Sequence, residues 1–254
     1  MDFFQKALAT VGIGAAKVDT RLSQSSFVPG DQMTGEIHIQ GGNVAQDLDA
    51  IYLMVATRYK RESGDSTYYA EHVLARHQLA ERTVIEPQQT RVVPFTVRLP
   101  EETPVTVHKV PVYLKTGLDI PGALDPKDQD YIQVQPHPLM TQVLSAVEAL
   151  GFQLVKVDCE HSRLGILSHP FVQEFEFRPI GEYRRHLQEL ELIFRLQGET
   201  LDVFLELDRR ARGLSGLFDA AFDMNERFAH LQVTPATTGD LQRRLAQVIE
   251  SHAR

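Results

Sequence analysis

The stretch "LQELELIFRLQGETLDVFLELDRR" (residues 187–210) carries the clearest structural signal in the chain. Apolar and polar side chains alternate before Gln197-Gly198, and they alternate again after that pair. A period of two is typical of a strand with one buried face, and a glycine between two such runs is typical of a tight turn. We therefore predict a β-hairpin whose two apolar rows are Leu190, Leu192, Phe194 and Leu196, and Leu201, Val203, Leu205 and Leu207.

Shorter runs of the same kind fill the first half of the chain. Alternation begins near Lys17, the Pro-Gly pair in "FVPGDQMTGEIHI" (residues 27–39) predicts a turn, and a longer strand follows over residues 46–62. Further runs continue to residue 135, and none is separated by the helix that a parallel crossover needs. Short strands bounded by Pro and Gly favour an antiparallel β-sandwich, so the predicted fold class is all-β with a few helices.

Two ordered motifs in these strands resemble a known family. "FVPGDQMTGEIHI" and "PFTVRLPEETPVTVHKVPVYLKTGLDI" (residues 94–120) resemble the amino-terminal sandwich of arrestins. "FFQKALATVGIGAAKVDT" (residues 3–20) and "PFVQEFEFRP" (residues 170–179) are more narrowly similar to the bacterial sporulation-control family, stage-zero type M. The resemblance implies two arrestin-like sandwiches in a cytoplasmic regulator without enzymatic chemistry.

A joint is predicted in the middle of the chain. "PLMTQVLSAVEALGF" (residues 138–152) places Leu139, Val143 and Val147 on one helical stripe, and Gly151 follows as a stop. Pro136 and Pro138 flank His137 and stiffen the backbone before that helix. We therefore predict domains 1–136 and 137–254, with an interdomain linker formed by Pro136, His137, Pro138, Leu139, Val143 and Val147.

Two more helices are predicted in the second half. "LSGLFDAAFDMNERF" (residues 214–228) has an apolar side. "TGDLQRRLAQVIESHAR" (residues 238–254) has Leu241, Leu245 and Ile249 on one stripe and Asp240 as a candidate N-cap.

Composition excludes several classes of protein. The net charge of −8 argues against nonspecific binding to nucleic acid, and no apolar tract approaches the roughly 20 residues that span a bilayer. A single cysteine, Cys159, excludes an intramolecular disulfide and favours the cytoplasm. The first residues, "MDFFQKALA", predict a short amphipathic segment that docks on the protein itself, or alternatively on a partner or a membrane surface.

The carboxylates of "DPKDQD" (residues 125–130) suggest a calcium loop, but the glycine and the closing glutamate of such a loop are missing. We predict a solvated turn at Pro126. The ten histidines show no zinc spacing, and "VGIGAAK" lacks the third glycine of a dinucleotide fingerprint. The sequence therefore predicts no metal and no cofactor.

Two further motifs have a structural and a functional interpretation. Cys159 and His161 in "DCEHSRLG" could be a nucleophile and its base, but adjacent residues on one strand fit a structural cysteine better. The densest cluster of positive charge in the sequence consists of Arg209, Arg210 and Arg212. It could bind an anion or a partner, although a solvated strand end fits it better.

The leading functional prediction is a non-catalytic regulator or adaptor that binds a protein partner of unknown identity. The alternatives are a peripheral membrane scaffold that uses the N-terminal segment and a metal-dependent hydrolase.

Overall fold

The computed structural model describes residues 15–63, 66–121, 125–209 and 228–253. They form two compact units. The first contains the chain up to Arg58 together with Glu71–Thr106 and Pro111–Gln135, and the second contains Tyr59–Ala70, Val107–Val110 and the chain from Pro136 onward. The chain passes between the units several times, so the boundary predicted at residue 136 marks only its last passage. The division into domains 1–136 and 137–254 stays a prediction.

The structure is mostly β, with sheets in a sandwich-like arrangement, and the first unit contains one three-stranded sheet and most of four strands of a larger, nine-stranded sheet. One has the strand order β1-β3-β8, with β1 at Lys17–Leu22, β3 at Gln32–Gln40 and β8 at Thr90–Arg98. The other has β10 (Lys127–Tyr131), β9 (Val112–Asp119), β5 (Ala50–Ser63) and β6 (Ser66–Ala80). Two short pairs complete the unit: β4 (Gln46–Leu48) with β7 (Thr83–Ile85), and β2 (Ser26–Phe27) with β11 (Gln133–Val134).

Alternation determines which side chains of β3 are buried, whereas β5 is buried on both faces, including Tyr52 and Ala56 on the face opposite Leu53. Val18 lies opposite Ile39 and Thr20 lies opposite Ile37 in the antiparallel β1–β3 pair, as the sequence predicts. Ile37 and Ile39 are fully buried, and Leu53 and Val55 of β5 are fully buried as well. One departure from the antiparallel prediction is the parallel pairing of β2 with β11.

The second unit contains an antiparallel run of five strands. They are β12 (Phe152–His161), β13 (Phe171–Pro179), β14 (Leu187–Gln197), β15 (Thr200–Arg209) and β16 (Ala229–Val233). The end of β5 adds a parallel bridge between Lys60 and Glu160. The hairpin prediction is confirmed, because Leu196 lies opposite Leu201 and Gly198 turns the chain with φ +59°. That this unit is itself an arrestin-like sandwich stays a prediction.

The two faces of this second sheet differ in chemistry. Phe175, Leu192 and Leu205 lie in register on one face and are buried. Cys159, also buried, lies on that face, since it pairs with Gln173 two residues before Phe175. The opposite face carries an apolar cluster of Ile166, Val172, Ile193, Phe204 and Phe228, and carboxylates surround that cluster on the neighbouring strands.

Two α-helices are described, α1 (Pro138–Ala149) and α2 (Leu241–Ala253). Short 3-10 turns occupy Val107–Lys109, Glu182–Arg185 and Pro235–Asp240. His137 is the N-cap of α1, where its Nδ1 accepts a hydrogen bond from the Leu139 N–H at 3.3 Å. Gly151 follows the C-terminus with φ +86°, the left-handed conformation that favours glycine, as predicted.

The predicted apolar stripe of α1 is buried inside the second unit. Leu139, Val143 and Val147 are buried, and α1 packs against α2 and β12. In α2 the predicted stripe residues Leu241, Leu245 and Ile249 are buried too. Asp240 is the last residue of the preceding 3-10 turn, and its Oδ2 accepts a hydrogen bond from the Arg243 guanidinium at 2.7 Å.

Three predicted features lie outside the described residues: the N-terminal segment "MDFFQKALA", the helix predicted from residue 214, and the side chains of the Arg209, Arg210 and Arg212 patch. No described helix has both the length and the apolar character needed to cross a bilayer.

Candidate interaction surfaces

The edges of the first unit's sheets differ in how they are protected. Strand β8 is an edge strand and contains Pro94, which has no N–H to offer a further strand. At the β10 edge, the Asp128 Oδ2 accepts a hydrogen bond from the Thr20 N–H of β1 at 2.7 Å. Proline therefore interrupts one edge, and β1 covers the other.

Strand β6 forms a third edge, and within the part of the chain that the structure describes neither a proline nor a further strand protects it. Among the described residues, its pairing partner is β5 alone. It is fifteen residues long and contains no proline. Within the first unit it exposes Val73 at 38%, and in its portion assigned to the second unit it exposes Tyr68 and Tyr69. An edge of this length presents backbone donors and acceptors that another extended chain can pair with.

Side chains hold β6 in place in the first unit. The Glu71 carboxylate of β6 accepts hydrogen bonds at 2.6 Å from the Tyr113 hydroxyl and from Lys115 Nζ, both on β9. These hydrogen bonds, with Lys115 first, hold the Glu71 pKa below its usual value although burial opposes them. Burial and the Glu71 hydrogen bond together raise the pKa of Tyr113 to about 12. Glu71 therefore remains ionised and links β6 to β9 across β5.

A second set of side-chain contacts connects the same three strands, β6, β5 and β9. The Arg76 guanidinium of β6 lies 4.6 Å from the centre of the Tyr52 ring on β5. That ring covers Gly117 of β9 so closely that an added Cβ would overlap it. The glycine is therefore required by the approach of an aromatic ring, and β6 has a rigid support beneath its free edge.

Residues 127–130 of the acidic segment lie in a strand and not in the solvated turn that its composition predicts, whereas Asp125 and Pro126 precede that strand. Lys127–Tyr131 forms β10 and pairs with β9. Asp125 accepts a hydrogen bond from the Ile120 N–H, and Asp128 accepts the one from Thr20. Burial and the neighbouring Asp128 raise the pKa of Asp130 to about 6. The turn prediction is wrong for residues 127–130, because their pairing with β9, which sequence proximity does not reveal, fixes them in an extended conformation.

The Cys159–His161 pair does not have the properties of an activated nucleophile. Cys159 is 1% exposed, and burial raises the pKa of its thiol well above the usual value. The His161 Nδ1 lies 2.7 Å from the backbone oxygen of Pro170, so that nitrogen is engaged by the loop. A thiolate nucleophile needs the opposite, a lowered thiol pKa in an exposed position.

The predicted linker residues occupy the start of α1. Pro136 is the first residue of the second unit after Gln135, His137 is the N-cap, and Pro138 is the first helical residue. Their predicted role in setting an interdomain angle stays a prediction.

A groove of about 900 Å³ lies beside the C-terminal end of α1. Leu150, Gly151, Tyr183, Arg185 and Glu250 are among the residues that line it. The Tyr183 ring stacks on Phe152 with centroids 5.1 Å apart. Because charged side chains of both signs line this groove, its lining favours no single class of ligand.

The second unit carries a row of carboxylates that is not among the candidate sites predicted from the sequence. Register places Glu176 of β13 opposite Glu191 of β14, and Glu191 opposite Glu206 of β15. Asp158 of β12 lies opposite Glu174 of β13. The available signal is a pair of acidic residues spaced by two in each of four strands, but their adjacency depends on register. Among the described residues, no group of three or more His, Cys, Asp or Glu side chains is arranged to hold a metal ion.

A model of the SpoOM protein family matches residues 4–211 of this chain. The chain belongs to that family. The sporulation-control protein spo0M of Bacillus subtilis (strain 168) is 40% identical over 257 residues, with 100% of both chains covered. A crystal structure of Spo0M from Bacillus subtilis has a TM-score of 0.86 and 39% identity, and the match covers 94% of this chain and 99% of that one.

The family assignment confirms the resemblance seen in "FFQKALATVGIGAAKVDT" and "PFVQEFEFRP". The second of these motifs forms β13, which supplies Glu174 and Glu176 to the carboxylate row of this SpoOM family member. The similarity to a solved Spo0M structure also supports the mostly β fold class with a few helices.

Proposed function

We propose that this SpoOM family member is a non-catalytic, cytoplasmic regulatory protein that acts by binding other proteins. The 40% identical relative is named a sporulation-control protein, which supports a regulatory role. The buried thiol with a raised pKa supports a role without chemistry at that residue, and so do the hydrogen bonds that Asp125 and Asp128 accept from backbone N–H groups. The single cysteine fits a reducing compartment.

The observation that carries the proposal is the free edge of β6 in the first unit, over Glu71–Ala80. Proline and β1 protect the β8 and β10 edges, whereas β6 is long, free of proline and held rigid by the Glu71 and Arg76 contacts. The occupant that fits is an extended segment of a partner protein, because only an extended backbone matches the alternating N–H and C=O groups of an edge.

The test compares the same substitution on two edge strands. A photoreactive amino acid at position 73 or at position 92 of the full chain is crosslinked in the native host, and crosslinked proteins are identified by mass spectrometry. Val73 on β6 and Val92 on β8 are similarly exposed, at 38% and 44%. We expect a specific crosslinked protein from position 73 and none from position 92.

Binding of the purified partner to two lysine variants then measures the contribution of the edge. We expect Val73→Lys to weaken binding by about tenfold or more, because a lysine at an edge disfavours strand addition. Val92→Lys serves as the matched control and should bind as the wild type does. Equal affinities of the two variants for the partner would refute the β6 site. A chemical reaction that the purified wild type and both variants catalyse alike would refute the non-catalytic role.

A further inference from the structure

The carboxylate row of the second unit runs across four adjacent strands. Lys156 of β12 lies opposite Glu176, which lies opposite Glu191, which lies opposite Glu206. Three of these four side chains are acidic and stand in direct cross-strand register. Like charges directly opposite each other destabilise a sheet. Some of the carboxyl groups must therefore hold protons or pair with cations when the unit is folded.

Two lysines of the described chain lie at the outer end of this row. Lys156 Nζ is 3.0 Å from Glu160 Oε1 and 3.9 Å from Glu176 Oε2. Lys60 of β5 also contacts Glu160, at 3.5 Å, and Glu62, at 3.3 Å. Hydrogen bonds from Lys156, followed by the charges of Lys156 and Lys60, hold the pKa of Glu160 below its usual value although burial opposes this. Glu160 therefore pairs with one lysine from β5 and one from β12.

Glu174 lies on the next strand, β13, where protonation and not a paired cation neutralises its carboxylate. It stands opposite Asp158 and beside Glu191, Glu160 and Glu206, and its closest opposing charge is Lys156. Burial first, and then these carboxylates, raise its pKa to about 8. The covering loop packs Leu164, Ile166 and Leu167 on Val172, Ile193 and Phe204 in the next part of the face, and its Ile166 backbone oxygen accepts a hydrogen bond from Arg195.

A second protonated carboxyl lies at the other end of the row. Glu189 of β14 lies opposite Asp208 and hydrogen-bonds with Glu176. Burial first, and then Glu176, raise its pKa to about 7, while Arg178 opposes the rise. The Arg178 guanidinium is 3.8 Å from Glu176. On the other side of the apolar cluster, Arg195 and His230 pair with Asp202 and not with Glu174 or Glu189.

We propose that the carboxylate ladder formed by Glu174, Glu176 and Glu189 is a proton-binding regulatory device that loosens the second unit as the surrounding pH rises through neutrality. A carboxyl whose pKa is higher in the folded than in the unfolded state stabilises the fold below its unfolded pKa. That stability is lost as pH rises through the folded pKa, here about 7 to 8. The inference is independent of the proposed binding at β6.

The single cysteine gives a local measurement of this loosening. Cys159 is buried on the opposite face of the same sheet and pairs with Gln173, the neighbour of Glu174. The rate at which a thiol reagent labels Cys159 in the native full chain, divided by the rate in denaturant at the same pH, reports local opening of this sheet. Dividing the two rates removes the ordinary effect of pH on thiol reactivity.

Three proteins are compared between pH 6 and pH 8.5. In the wild type we expect protection of Cys159 to fall by about tenfold or more over this range. In Glu174→Gln protection should fall less steeply than in the wild type, because only Glu189 still titrates in this range, and it should exceed that of the wild type at pH 8.5. Glu199→Gln removes an exposed carboxylate from the turn of the same β14–β15 hairpin and should follow the wild type.

Each outcome decides the inference. A wild-type protection that stays flat with pH refutes it, and so does a Glu174→Gln variant with the wild-type slope. If Glu174→Gln fails to fold, Glu189→Gln is measured instead and should reduce the slope around pH 7. A slope unchanged in that variant also counts against the ladder.

Discussion

Asp202 is the most buried charged side chain of the described second unit, with 4% of its side chain exposed. Its Oδ2 accepts hydrogen bonds from the Arg195 guanidinium at 3.1 and 2.8 Å, and its Oδ1 lies 2.9 Å from His230 Nε2. Arg195 also donates to the Ile166 backbone oxygen and lies over the Phe204 ring. One carboxylate thus joins β14, β15 and β16 to the loop that covers the sheet.

Replacing Asp202 with Asn should destabilise the second unit, because the guanidinium then keeps its burial but loses its counter-charge. We expect a loss of about 2 to 4 kcal/mol in the free energy of unfolding, measured by urea titration at pH 7. Glu199→Gln in the neighbouring turn is the control and should change stability by less than about 0.5 kcal/mol.

The pH dependence of this substitution has a defined sign. Hydrogen bonds from Arg195 first, and then from His230, lower the pKa of Asp202 although burial opposes them. A lowered folded-state pKa contributes stability above the unfolded value, which is lost as pH falls through the folded value. The stability difference between wild type and Asp202→Asn should therefore shrink below about pH 4, and a difference that grows in acid would contradict the assigned contacts.

Helix α1 illustrates how an element can be predicted correctly while its role remains open. Pro138, the apolar stripe and Gly151 define the helix from local sequence. The stripe is buried against α2 and β12 of the same unit, which means that it belongs to that unit's core. A charge placed there should disturb the second unit itself and not merely loosen a linker.

Val143→Asp tests this. Val143 is fully buried, so an unpaired carboxylate at that position should cost more than about 3 kcal/mol of unfolding free energy. Ser145→Asp places the same charge on the exposed side of α1 and should change stability by less than about 0.5 kcal/mol. Circular dichroism with urea titration measures both, and an equally stable Val143→Asp protein would show that the stripe is not part of a packed core.

At the scale of the whole molecule, stability should be independent of metal ions. The Asp128 carboxylate of β10 accepts a hydrogen bond from the Thr20 N–H, Asp125 accepts one from the Ile120 N–H, and among the described residues no group of three or more His, Cys, Asp or Glu side chains is arranged to hold a metal ion. We expect the thermal unfolding temperature of the full chain to stay the same, within about 1 °C, when EDTA is added. A fall of several degrees that calcium or zinc restores would refute this expectation.

The sequence by itself determines the local elements of this protein. Alternation around Gly198 is sufficient for the β14–β15 hairpin, and the 3.6-residue stripe with Gly151 is sufficient for α1. The family motifs identify the family, because they are ordered segments spread along most of the chain. These features depend on neighbours a few residues apart, so short windows of sequence contain the information that specifies them.

Only the tertiary structure decided the surfaces that carry the proposals. The sequence of segment 125–130 predicts an acidic turn, whereas its residues 127–130 pair with β9 in the structure. Strand β6 lies at an edge only because of the way in which β5 is paired. Glu174, Glu191 and Glu206 are far apart along the chain and become neighbours only through strand register. Pairing between distant strands depends on the summed burial of the whole sheet, so the sequence of any one strand cannot specify which residues will share a surface.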